Sequence, residues 1–124
     1  HALHLKFESD AHHVGHERLA AIVGEVRRNN PWLRHLVREG AIALDFPYFQ
    51  PSLDGNKEPV PLVLYYQPLG GTKKTLGVAE LRRLLYTMWR RMYRIDEPLG
   101  RPEFRRMLRS LEGRRRIGQT DLTD

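Results

Sequence analysis

The sequence predicts an α/β fold of the α+β kind: a small mixed or antiparallel sheet with a β-hairpin, packed by amphipathic helices. Three observations predict it. Leu3, Leu5 and Phe7 alternate with His4 and Lys6, the period of a half-buried strand. Two apolar, aromatic-rich runs, 42–48 and 60–66, flank a polar segment that holds Asp54-Gly55, a strong turn dipeptide. From 78 to 94, Leu81, Leu84, Leu85, Met88, Trp89 and Met92 recur at helical spacing, with arginines on the opposite side.

The elements follow in order. Residues 2–8 form the first strand. "SDAHHVGHE" supplies polar capping residues, and from His16 to Arg28 the apolar Leu19, Ile22, Val23 and Val26 fall at i, i+3, i+4 and i+7. That spacing predicts an amphipathic helix. Asn29-Asn30-Pro31 interrupts it. Asn30 is a good N-cap, and Pro31 stands where its missing N–H costs nothing. A short helix from Trp32 to Glu39 buries Leu33, Leu36 and Val37, and Gly40 suits a left-handed C-terminal cap. In the hairpin, Ile42, Leu44, Phe46 and Tyr48 alternate with Ala43, Asp45 and Pro47. Pro47 removes a ladder donor, so its strand belongs at an edge or carries a bulge. Val60–Tyr66 is apolar on both parities, as an inner strand is. "LGGTKKTLG" reads as a connector. "DEPLG" ends the arginine-studded helix. A last helix from Pro102 buries Phe104, Met107, Leu108 and Leu111, and stops at Gly113.

The 124 residues predict one domain, 1–113, followed by a basic tail, 114–124, whose lack of apolar period predicts mobility. With 40% hydrophobic residues the chain can bury a single core. No cysteine is present, which excludes disulfides, thiolate metal sites and a thiol nucleophile and fits a reducing, cytoplasmic compartment. No apolar run approaches the roughly 20 residues of a membrane span. The chain opens on His1 inside a strand pattern, which points to truncation or processing as readily as to a trimmed expression tag. The net charge of +6 favours anionic partners.

Isolated residues do not assemble a reaction. His12, His13 and His16 lie close together, yet the spacing implies no third ligand, and no metal site is assigned. "GGTKKT" lacks the glycine spacing of a phosphate loop. Arg82, Arg83, Arg90 and Arg91 lie opposite the apolar stripe. They fit either phosphate contacts or a solvated face balanced by Glu80, Asp96, Glu97, Glu103 and Glu112. Trp89 and Tyr93 sit on or near the core stripe, which weighs against nucleic acid. No Ser/His/Asp set or carboxylate pair stands out, so the catalytic residues are unknown.

At "NPWLRHLVREGAIALDFPY" the chain resembles the second half of the GNAT acyltransferase superfamily, where a segment of the type N-x-x-A-x-x-x-Y-x-x-x-G-F/A forms a helix that feeds the last hairpin. Aligned on Gly40-Ala41, the leading Asn falls in the Asn29-Asn30 pair, of which Asn30 is taken as the counterpart. "LHLKFE" is then similar to the strand before that helix. "IALDFPYFQPSLDGNKEPVPLVLYY" resembles the closing hairpin of a bacterial subgroup with a "PYVQP" strand and a "PVPLxL" return strand. The arginine-rich helix and "EPLGRPEFRRMLRSL" resemble that subgroup's C-terminal extension.

The resemblance implies the C-terminal portion of an N-acyltransferase that moves an acyl group from acetyl-CoA or another acyl-CoA to an amine, with Asn30 at the cofactor. It also implies two gaps. No R/Q-x-x-G-x-G/A pyrophosphate loop precedes residue 30, and Leu36 stands where the family often has a proton-donating tyrosine. His35, next along, points about 100° away on a helix. The isolated chain is therefore expected to be inactive. Two other readings stay open: a small basic module for nucleic acid or an acidic partner, and a structural or oligomerisation domain. An exposed first strand invites a homodimer.

Overall fold

The computed structural model describes residues 3–8, 19–52, 58–70 and 73–122. In chain order the elements are β1 (Leu3–Glu8), β2 (Leu19–Val26), α1 (Pro31–Arg38), β3 (Ile42–Ala43), β4 (Tyr48–Gln50), β5 (Val60–Pro68), β6 (Leu76–Gly77), α2 (Val78–Arg91), a 3-10 turn at Pro98–Gly100, α3 (Pro102–Ser110) and β7 (Arg116–Ile117). The fold is α+β, as expected. The main sheet runs β1-β2-β5-β3, with β4 also on β5, and every pairing is antiparallel.

The predicted helix over 16–28 is the main correction: residues 19–26 are strand β2. It pairs with β1 on one side (Leu5↔Val23) and with β5 on the other (Val23↔Tyr66). Apolar residues at 19, 22, 23 and 26 satisfy a helical stripe, but they equally cover both faces of an inner strand. Two local features and one tertiary one favour the strand. Ile22, Val23 and Val26 are β-branched, Gly24 weakens a helix by roughly 1 kcal/mol relative to Ala, and two partner strands saturate the backbone.

The sheet is covered on both faces. Val23, Ile42, Leu64 and Tyr66 point to one side and pack with Leu81, Leu85 and Met88 of α2 and Phe104 and Met107 of α3. Val26, Ala43, Val63 and Tyr65 point to the other and pack with Leu33 and Leu36 of α1. Each fully buried side chain of this size contributes about 1.5–3 kcal/mol, so the larger α2/α3 side supplies most of the apolar stabilisation. α1 has the expected ends: the Asn30 side-chain oxygen Oδ1 accepts from the Trp32 amide at 2.9 Å, and Gly40 takes φ 104°.

The hairpin forms with the break that Pro47 implies. The chain leaves the β5 ladder after Leu44, whose amide donates to Leu64 at 2.9 Å, and rejoins it at Tyr48. The turn dipeptide Asp54-Gly55 lies outside the described residues. α2 stops at Arg91, short of the expected 94, and Arg94 adopts the left-handed region at φ 54°.

The C-terminal segment differs from the expected mobile tail. β7 pairs with β6 (Leu76↔Ile117), and Ile117 is completely buried. The Arg115 carbonyl accepts from the first amide of α2, at Val78 (2.9 Å). Gly118 and Thr120 bond to Asp45 and Ala43 at 3.0 and 2.7 Å. Residues 115–120 therefore close the edge that β3 leaves open. The lack of apolar period is real; one buried isoleucine, backbone pairing and polar side-chain bonds from Arg114, Arg116 and Gln119 hold the segment.

Candidate functional site

The most chemically loaded place lies between the sheet and the C-terminal end of α2. Glu25 shares the inward parity of Ala21 and Val23 on β2 and is only 1% exposed. Tyr93, just past α2, donates its hydroxyl hydrogen to Glu25 Oε1. Gln50, ending β4, donates from Nε2 to the Tyr93 hydroxyl at 3.1 Å. The fully buried Tyr48 and Trp89 close the cluster. Glu25 Oε2, the Tyr48 hydroxyl and Trp89 Nε1 make no hydrogen bond of ordinary geometry.

Burial raises the Glu25 carboxyl above its ordinary value, against the opposing pull of the Tyr48 and Tyr93 hydroxyls. Burial likewise raises both tyrosines, and the nearby Glu25 carboxylate raises them further. The arrangement can therefore hold a proton on a carboxyl group and connect it, through half-buried Tyr93, toward the surface. Sequence reading missed Glu25 because it fell within a predicted helix. Its signal was present: in "AIVGEV" the glutamate occupies the same alternate parity as Ala21 and Val23.

A half-open cleft of ≈ 700 Å³ lies beside this cluster, where the chain bulges between β3 and β4. Pro47, Phe49, Pro61 and Val63 give it apolar walls, and Arg28 and Arg114 flank it. Both guanidinium groups are tethered: Arg28 donates to the Asp121 carbonyl and Arg114 to the Asp45 carbonyl at 2.8 Å. Tyr48 belongs to both features, lining the cleft and placing its hydroxyl by Glu25.

The residues singled out from sequence are scattered. Asn30 acts as the cap of α1, with its side-chain oxygen engaged by Trp32. Leu36 is buried under the sheet and His35 stacks on Trp32 with ring centroids 4.7 Å apart. His12, His13 and His16 lie outside the described residues, as does part of "GGTKKT". Lys73 of that connector pairs with Glu80 at 3.3 Å. Among the described residues no group of three metal-ligating side chains occurs, and no helix is long and apolar enough to cross a membrane. Comparison with protein-family models, curated proteins and solved structures finds no match to this chain.

Proposed function

We propose that this chain is the C-terminal portion of a GNAT-like N-acyltransferase that moves an acyl group from acyl-CoA to an amine. The observation that supports the reading is the run β2, α1, β3/β4, β5, a strand and capped helix that feed a hairpin. The strand before the helix is β2 rather than 3–8. Only Arg27–Asn29 then separate it from Asn30, and the helix expected over 16–28 no longer stands between them. β5 lies between β2 and β3, so the hairpin is built into the same sheet as the strand that leads to the helix.

The residues in hand do not form a complete acyl-CoA site. The Asn30 oxygen is taken by its own helix, and β1 pairs along the free edge of β2. No described helix begins on a glycine-rich loop of the pyrophosphate-binding type. In this reading the nucleotide-binding turn is supplied by residues upstream of this segment. The acceptor side and an acid–base group, with Glu25 and Tyr93 as candidates, come from this half.

Titration calorimetry with acetyl-CoA tests the reading, comparing this chain with a version extended upstream in its reading frame. Heat is expected from the extended version and none from residues 1–124 alone. No heat from either overturns it.

A further inference from the structure

The outer side of α2 is the strongest charged patch that the acyltransferase reading leaves unused. Arg82, Arg83 and Arg90 are exposed, and at about 100° per residue they share an arc of about 100° with Tyr86 at its middle. Glu80, the acidic residue nearest this face on the helix, is turned to Lys73. Among the described residues no carboxylate pairs with these three arginines, nor with Arg105 or Arg109 of α3. The balancing carboxylate pairs allowed by the sequence are thus not made. α3 joins the same region, since Phe104 meets Tyr86 edge-on at 6.4 Å between ring centroids.

We propose that this α2 face binds the phosphate backbone of nucleic acid without reading its sequence. Concentrated like charge on one helix face is unfavourable to the folded chain unless an anion neutralises it. From residue 82 onward every cationic side chain is arginine, whose planar fork matches phosphate oxygens in pairs. Arg83 and Arg90 stand two turns apart, about 10 Å along the axis, which is the rise of about three nucleotides along one strand of a duplex. A protein partner would need an apolar centre to its interface. The centre here is one tyrosine ring with the Arg90 guanidinium 5.7 Å from its centroid. That pairing suits a base or sugar beside a phosphate. The inference does not depend on the acyltransferase reading.

Fluorescence anisotropy with labelled oligonucleotides of mixed sequence, single-stranded and duplex, tests it at two salt concentrations. Binding is expected to weaken as salt rises. R83E/R90E is expected to weaken it about tenfold or more at low salt, and the neutral R83Q/R90Q to fall between that pair and the parent. R27E/R38E makes the same change in net charge on exposed residues beside or on α1 and is expected to stay within about twofold of the parent. Melting followed by circular dichroism confirms that each variant is folded; should the charge-reversed pair unfold, the neutral pair decides. The proposal is overturned if neither nucleic acid binds, if binding ignores salt, or if R83Q/R90Q binds as the parent does. It is also overturned if both charge-reversed pairs weaken binding equally, or if polyglutamate binds more tightly than either oligonucleotide.

Discussion

Glu25 lies opposite Leu64 in the β2–β5 ladder and faces the α2/α3 core. In the unfolded chain it titrates near the ordinary 4.5, and burial raises it in the fold. Between those two values the folded state keeps a proton that the unfolded state has lost. The stability this group contributes is therefore complete below about 4.5 and declines as pH rises through the folded value. Glu25→Gln should remove that decline, so the variant gains on the parent as the pH moves from acid to neutral, measured by urea melts across the series. Tyr93→Phe takes away the donor to a buried carboxylate and should cost about 1–3 kcal/mol, more at neutral than at acid pH. At Asn30 two roles can be separated. Asn30→Ala should cost about 1 kcal/mol through loss of the cap, whereas Asn30→Ser should keep the cap. If Asn30→Ser also weakens acetyl-CoA binding in the upstream-extended protein, the side chain has a second role at the cofactor. The cap was legible from "NNP" alone, because capping is local chemistry. The Glu25 cluster was not, because Tyr48, Trp89 and Tyr93 reach it only through the tertiary fold.

Elements were legible where one period dominated and only one face needed covering. α1, α2 and α3 each carry a single apolar stripe and appear where the spacing puts them, within three residues at the ends. β2 is buried on both faces, and for such a strand periodicity cannot separate strand from helix. The partner strand β5, apolar on both parities, was recognised for what it is; β2 has the same property, diluted by Gly24 and Glu25. The C-terminal segment was hidden for a different reason. Its order comes from backbone pairing with β6 and with residues 43–45, from buried Ile117, and from polar side-chain bonds that leave no apolar period: Arg116 Nε donates to Thr75 Oγ1 at 2.6 Å and Gln119 Oε1 accepts from the Ala43 amide at 3.0 Å. Ile117→Ala should therefore cost about 2–5 kcal/mol in a denaturant melt, as deletion from a closed core does. A loss under about 0.5 kcal/mol, the range of an exposed surface change, would mean that the segment is the mobile tail its composition suggested.

At the scale of the whole molecule the architecture is three layers, with α1 on one face of the sheet and α2 and α3 on the other. The β1 edge pairs with nothing beyond β2 among the described residues. An uncovered edge offers a row of unpaired backbone groups to another chain. Sedimentation at micromolar concentration should accordingly find a dimer, and a monomer would count against pairing through β1. The functional reading rests on one architectural fact, that the strand feeding α1 is an inner strand sharing β5 with the hairpin. Nuclear Overhauser contacts between backbone protons of the folded chain test this most directly. The account predicts cross-strand contacts from Val23 to Tyr66 and from Tyr66 to Ile42 in the same molecule. Continuous amide-to-amide contacts through residues 19–26, with neither cross-strand set present, would make that segment a helix and contradict it.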